Sequence, residues 1–161
     1  MNIVIANRQR KRKINTRSLK RMVKAVFAEL AVADAELGVN LVADREMTLV
    51  NETFLQHVGS TDVITFDHTE RRRGRRGKRK KIHGELFVCV DVAVSQAGEF
   101  GTDWQSEVVR YVIHGILHLL GYDDLQPHLR QEMKREENRL VRLMAKRFSF
   151  AELARPAKIR P

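Results

Sequence analysis

The run His114-Gly115-Ile116-Leu117-His118-Leu119-Leu120-Gly121-Tyr122-Asp123-Asp124 fixes more about this chain than any other stretch. Residues four apart lie on one helix face, about a turn from each other. The neighbours Tyr111-Val112-Ile113, Ile116-Leu117 and Leu119-Leu120 are apolar, so this helix is a core element. Two neutral imidazoles in apolar surroundings are costly without partners. A divalent ion satisfies one nitrogen on each ring. Gly121 is suited to end the helix and turn the chain back. That turn brings Asp124 into range as a third ligand, in the pattern His-x3-His-x5-Asp. His128 competes for the third place, but it follows Pro127 and belongs to the next helix. The expectation is a metal centre made by His114, His118 and Asp124, on a helix ending in a glycine turn.

At 161 residues the chain suits one domain with a single core. No apolar run approaches the roughly 18 residues that span a bilayer. The opening Met1-Asn2-Ile3-Val4-Ile5-Ala6 is too short for a signal peptide and runs into basic residues. The reading is a cytoplasmic chain with no membrane partner. Its single cysteine, Cys89, sits within Leu86-Phe87-Val88-Cys89-Val90 and reads as a buried strand residue. One cysteine allows no intramolecular disulfide.

Charge placement narrows the partners. The net charge is +10, and nine positive charges with no negative one fall in Arg71, Arg72, Arg73, Arg75, Arg76, Lys78, Arg79, Lys80 and Lys81. Glycine-broken arginine runs read as solvated loops that meet a polyanion. A second basic cluster comprises Arg8, Arg10, Lys11, Arg12, Lys13, Arg17, Lys20, Arg21 and Lys24. Aromatic residues make up only 6%, so surfaces for stacking bases are scarce.

The patterning predicts a strand at residues 2–6 and a helix from Thr16 or Ser18 to Leu37, closed by Gly38. A short strand at 39–42 follows, then a helix at 45–55 capped by Asp44 and a strand at 61–66. Beyond the basic loop, residues 85–90 are nearly all apolar and read as a central strand. Asp91 caps a helix through Phe100, closed by Gly101. Thr102 or Asp103 opens the histidine helix, and Pro127 begins the last one. Its apolar stripe is Leu129, Met133, Leu140, Leu143 or Met144, and Phe148. The fold class is α+β: one domain over residues 1–150, with a four-stranded mixed sheet, packed helices and a basic insert at 70–82. Residues 151–161 read as a loose tail.

Taken together, these residues resemble the YbeY family, bacterial rRNA maturation factors and endoribonucleases with a metal site. The family motif is like H-G-x-L-H-L-x-G-Y-D-H, against His114 to Asp124 here. Asn51, the strand Thr61-Asp62-Val63-Ile64-Thr65-Phe66, the run Gly84-Glu85-Leu86-Phe87-Val88-Cys89, Glu107 and Met133 are similar to its other signatures. The resemblance spans about residues 40–145. It implies a single-strand-specific, metal-dependent endoribonuclease of 16S rRNA 3′-end maturation and ribosome quality control. It also implies small-subunit rRNA precursor and the ribosome or its proteins as partners. Zinc, one per chain, suits two imidazoles and a carboxylate with a position left open. Nickel, cobalt or manganese would use the same ligands.

Two departures from the family stand out. A third histidine is usual where this chain has Asp124, and an arginine is usual where it has Leu55. Leucine cannot bind phosphate; His57 or Arg110 could stand in, with no spacing argument for either. Two other functions use the same ligands. One is an RNA-binding ribosome assembly factor with a structural zinc. The other is a zinc peptidase, whose general base would be a glutamate directly after the first histidine. Gly115 stands there and can move no proton.

Overall fold

The computed structural model describes residues 1–69 and 80–156. Strands β1 Asn2–Asn7, β2 Val32–Val42, β3 Val63–Asp67 and β4 Lys80–Cys89 make one sheet in the order β1-β2-β4-β3. β1 and β4 flank β2 in parallel, and β3 joins β4 antiparallel, so the sheet is mixed as expected. Helices α1 Thr16–Glu29, α2 Asp44–Phe54, α3 Val90–Phe100, α4 Trp104–Leu119 and α5 Pro127–Arg147 complete the described residues.

Side-chain alternation sorts the layers. Ala35, Leu37, Val39 and Leu41 of β2 share a face with Ile82, Leu86 and Val88 of β4 and with Ile3 of β1. All are buried in one cluster with apolar residues of α1, α4 and α5. The opposite face holds a smaller cluster, in which Met47 and Val50 of α2 meet Val42, Ile64 and Cys89. Val63, Thr65 and Asp67 of the edge strand β3 face the α4 side, because they pair with Val88, Leu86 and Gly84.

Four expectations are corrected. The first helix stops at Glu29 rather than Leu37, because Ala31 takes a left-handed conformation at φ 54° and β2 begins at Val32. From Ala35 to Val39 the buried positions recur every second residue and Val39 to Val42 are all buried, which suits a central strand and not a helix. β4 likewise starts at Lys80 rather than 85, with Ile82, Gly84, Leu86 and Val88 alternating inward. Lys80 and Lys81 are therefore strand residues, and Lys80 Nζ donates to Leu30 O at 3.1 Å, placing a cation at the end of α1. Arg71 to Arg79, the rest of the expected RNA-binding run, lie outside the described residues.

Asp44 and Asp91 do not cap their own helices. Asp91 Oδ2 instead accepts from Asp44 N at 2.7 Å, and Asp44 Oδ1 accepts from Ser60 Oγ and Cys89 Sγ. The two carboxylates thus lock the starts of α2 and α3 together. The boundary expected at residue 150 falls inside a 3-10 turn, Phe150–Ala154. Leu153 of that turn is fully buried, and its carbonyl accepts from Asn15 N at 2.7 Å, so packed structure continues past 150. Residues 157–161 lie outside the described residues.

Candidate metal centre

α4 carries both histidines, and its position is set by two glycines. A Cβ on Gly115 would stand 2.6 Å from Leu86 Cδ2, and one on Gly84 would stand 2.6 Å from Leu119 Cδ2. Helix and sheet are therefore in direct contact at both residues. Gly115 faces the sheet, so a glutamate there would meet Leu86 rather than a metal-bound water. That removes the general base a peptidase would need.

The helix starts on Asp103, whose Oδ1 accepts from Ser106 N at 2.8 Å. It ends at Leu120, and Gly121 follows at φ 98°. Gly121 N donates to His118 O and Tyr122 N to Leu117 O, both at 3.0 Å. This is a Schellman closure, with glycine at the left-handed position as expected. The turn brings Asp124 back to the helix face that carries His114 and His118.

Three ligand atoms converge there, within 4.8 Å of one another. His114 Nε2 and His118 Nε2 are 3.1 Å apart, and Asp124 Oδ2 is 3.7 Å from His118 Nε2. Each ring is anchored through its other nitrogen. His114 Nδ1 donates to Glu137 Oε1 at 2.8 Å, and His118 Nδ1 donates to Tyr122 O at 3.1 Å. Protons on both Nδ1 atoms leave lone pairs on both Nε2 atoms, pointing at each other beside a carboxylate. A proton shared between the two nitrogens or a bound metal ion relieves that repulsion, and the metal ion also engages the carboxylate. The spacings suit a tetrahedral ion with bonds of about 2.0–2.1 Å, whose ligand atoms sit roughly 3.3 Å apart. Both rings are partly exposed, leaving room for a fourth position.

Glu137 was not foreseen in the sequence. Its side chain is 4% exposed and sits on α5, where it also accepts from Arg110 Nη1 at 2.7 Å and Lys134 Nζ at 3.1 Å. Burial opposes its ionisation. Hydrogen bonds from His114 and Arg110 and the charge of Lys134 outweigh that, holding the carboxyl down at about 2. A carboxylate behind a ligating histidine fixes the ring and its tautomer. The signal was present: Glu137 interrupts the buried stripe of Met133, Leu140 and Met144.

Other expected residues divide. His128 is exposed and lies outside the three-ligand group, whereas Asp124 converges with the two histidines. Arg110 is committed to Glu137 and Asn138. Asp123 Oδ1 accepts from Leu125 N, shaping the turn. Asn51 is buried and its Nδ2 donates to Gly59 O at 2.9 Å, so it holds the loop after α2. Cys89 is buried, and burial pushes its thiol up to about 11, which makes it unreactive.

The centre lies where two clefts meet. One, of about 640 Å³, is lined by Phe100, Tyr111, Arg130 and Lys134 together with His114 and Asp124. The other, of about 450 Å³, runs past Leu55, Thr65 and Asp67 to His114, His118 and Asp124. Asp62 lines both. Leu55 thus lines the same cleft as the three ligands, at the place where the family resemblance expects an arginine. Among the described residues no helix is long and apolar enough to cross a membrane.

Comparison with known proteins agrees over most of the chain. A family model described as Endoribonuclease YbeY matches residues 4–145. Endoribonuclease YbeY of Parabacteroides distasonis is 34% identical over 131 residues, spanning 81% of this chain and 87% of that protein. Endoribonuclease YbeY of Bacteroides fragilis is 33% identical over 128 residues, spanning 80% and 86%. The solution structure of TM1509 from Thermotoga maritima matches with a TM-score of 0.63 at 25% identity, covering 98% of this chain and 99% of that one.

Proposed function

The chain belongs to the YbeY family of endoribonucleases, and from that premise we propose that it cuts single-stranded RNA at a zinc centre held by His114, His118 and Asp124. One observation carries the assignment of the centre. Two imidazole Nε2 atoms meet at 3.1 Å while both Nδ1 atoms are occupied by acceptors. A divalent ion bound there would supply Lewis acidity toward a phosphoryl oxygen and lower the pKa of a bound water.

The protein's own groups prepare that chemistry. Glu137 and the Tyr122 carbonyl hold the two rings in the ligating tautomer. Asp124 in place of a third histidine lowers the charge of the centre by one unit, which makes a bound ion a weaker Lewis acid. Arg130 and Lys134 bring positive charge to one side of it. The chain leaves β3 at Asp67, a cleft residue, and re-enters the sheet at Lys80. The basic run Arg71 to Lys81 supplies contacts to the RNA backbone in this reading. With four or five such contacts, log affinity falls against log salt with a slope of roughly −3. The substrate in this reading is small-subunit rRNA precursor at the 16S 3′ end, met on the ribosome in the cytoplasm.

The test is direct. Purified protein given zinc should nick a small-subunit rRNA precursor, and His118→Ala should abolish nicking without weakening RNA binding. Leu55 favours one rival, because a leucine lining the centre offers no charge to a phosphate. In that rival the metal is structural and the protein is an RNA-binding assembly factor. Tight RNA binding with no cutting in zinc, manganese, nickel or cobalt would establish it.

A further inference from the structure

The larger arm of the cleft contains features that the metal centre does not use. Phe100 is the last residue of α3 and is 65% exposed. Gly101 takes a left-handed conformation at φ 68°, turning the backbone away beyond it. The ring lines the same arm as His114 and Asp124. Gln96, one helical turn earlier, lines it too. Deeper in the arm, Tyr111 is only 5% exposed, yet its hydroxyl has no hydrogen-bond partner among the described residues. Buried hydroxyls are nearly always satisfied, so an unpaired one in a cleft wall calls for a partner from outside the chain. Burial, with Glu107 and Asp62 nearby, keeps this phenol protonated and able to donate.

Charge separates the two arms. Arg110, Arg130 and Lys134 line this one and offset most of the charge of Asp62, Glu107, Asp124 and Glu137, and Lys134 is largely exposed. Among the described residues the other arm has Asp62, Asp67 and Asp124 and no Lys or Arg to offset them. A phosphodiester strand reaching the centre is therefore favoured on the Phe100 side.

We propose that this arm is a nucleotide-binding subsite, in which Phe100 stacks on a nucleobase next to the cleaved phosphate and the Tyr111 hydroxyl bonds the sugar–phosphate of that nucleotide. The inference rests on RNA being the substrate of the centre and adds how it is held. Stacking requires an unpaired base, so the subsite selects single strands over duplexes. Phe100 acts here in binding and specificity, and the metal ligands are independent of it.

The experiment measures binding of a fluorescent single-stranded RNA decamer to zinc-loaded protein by anisotropy. Phe100→Ala should weaken it roughly 5- to 150-fold, the range for one base on one aromatic ring. Phe100→Trp should restore it. Zinc uptake and melting temperature should not change, because the ring is at the surface. Decamers with a single abasic ribose, scanned along the strand, should include one that loses a similar factor with wild type and none with Phe100→Ala. Tyr111→Phe removes only the unpaired hydroxyl. It should bind RNA about 2- to 12-fold more weakly with no loss of stability. Duplex RNA should bind all variants alike.

A Phe100→Ala protein that binds the decamer within twofold of wild type, while still taking up zinc and cutting RNA, overturns the subsite and leaves the proposed activity intact. A change in self-association alone would make the ring a protein contact and also overturns it. If wild-type protein neither binds nor cuts RNA, the functional reading falls and takes the subsite with it.

Discussion

Replacing Glu137 with glutamine separates the metal centre from the helix that supports it. The carboxylate is 4% exposed and accepts from His114 Nδ1, Arg110 Nη1 and Lys134 Nζ at 2.7–3.1 Å. Glutamine keeps the shape and one acceptor oxygen but removes the charge and turns an amide NH2 either toward His114 at the Oε1 position or toward Arg110 and Lys134 at the Oε2 position. Losing charge-assisted bonds costs about 1.5–3 kcal/mol each, and the losses do not add. Arg110 retains contact with water and with Asn138, which limits the penalty. A net destabilisation of about 2–3 kcal/mol follows, or roughly 4–12 °C in melting temperature for a domain of this size. The second effect is on the ion. A supporting group behind a metal-bound histidine is typically worth 10- to 100-fold in metal affinity. Competition against a colorimetric zinc chelator measures that directly, in the absence of RNA. A Glu137→Gln protein that melts several degrees lower yet binds zinc within twofold of wild type would refute the reasoning. Glu137 would then only fasten α5 to α4.

Three further outcomes follow from packing and charge. Gly115→Ala drives a methyl against the fully buried Leu86 and should cost about 1–3 kcal/mol in urea unfolding, whereas Gly98→Ala, with nothing within 4 Å, should be neutral or slightly stabilising. Burial would raise the Asp91 carboxyl, but Lys11 and the Asp44 N–H outweigh it and lower its pKa; its contribution is therefore present above the ordinary carboxylate range and lost as pH falls through it, so Asp91→Asn should be less stable than wild type at neutral pH, and urea midpoints should converge below about pH 4. Leu55→Arg puts a cation into the arm with Asp62 and Asp67, and should steepen the salt dependence of RNA affinity by about 0.7 in log–log slope, with no steepening if the strand never passes that wall.

The convergence of His114, His118 and Asp124 was legible because its signal is local. His114, His118, Gly121 and Asp124 lie on one helix and one turn, so spacing alone fixes their geometry. Glu137 lies 23 positions beyond His114 and joins it only through the packing of α5 on α4. Spacing cannot report that, although a charged residue in the place of a stripe residue could have been read as a buried anchor. The strands show the same division. β3 was found because its pattern stands between clear breaks. β2 was cut short because Leu37 also falls on the helical stripe of Leu19, Met22, Val23, Val26, Phe27 and Leu30, and only the left-handed Ala31 breaks it. The caps failed for a related reason. Asp44 and Asp91 are well placed in sequence to cap their own helices, but tertiary packing pairs them with each other's surroundings. Phe100 was passed over because low aromatic content speaks to numbers of rings and not to where one ring stands.

The backbone of Tyr122 joins two roles on either side of one α-carbon. Its N–H seals the last turn of α4 on Leu117 O at 3.0 Å, and its carbonyl steadies the His118 ring at 3.1 Å. Helix ends ordinarily fray and exchange their amide protons early. Here an ion gripping His118 would hold the carbonyl, and through it the closed end of the helix. Occupancy of the centre is therefore written into one backbone amide, whose deuterium uptake slows when the ion arrives and quickens when a chelator strips it away.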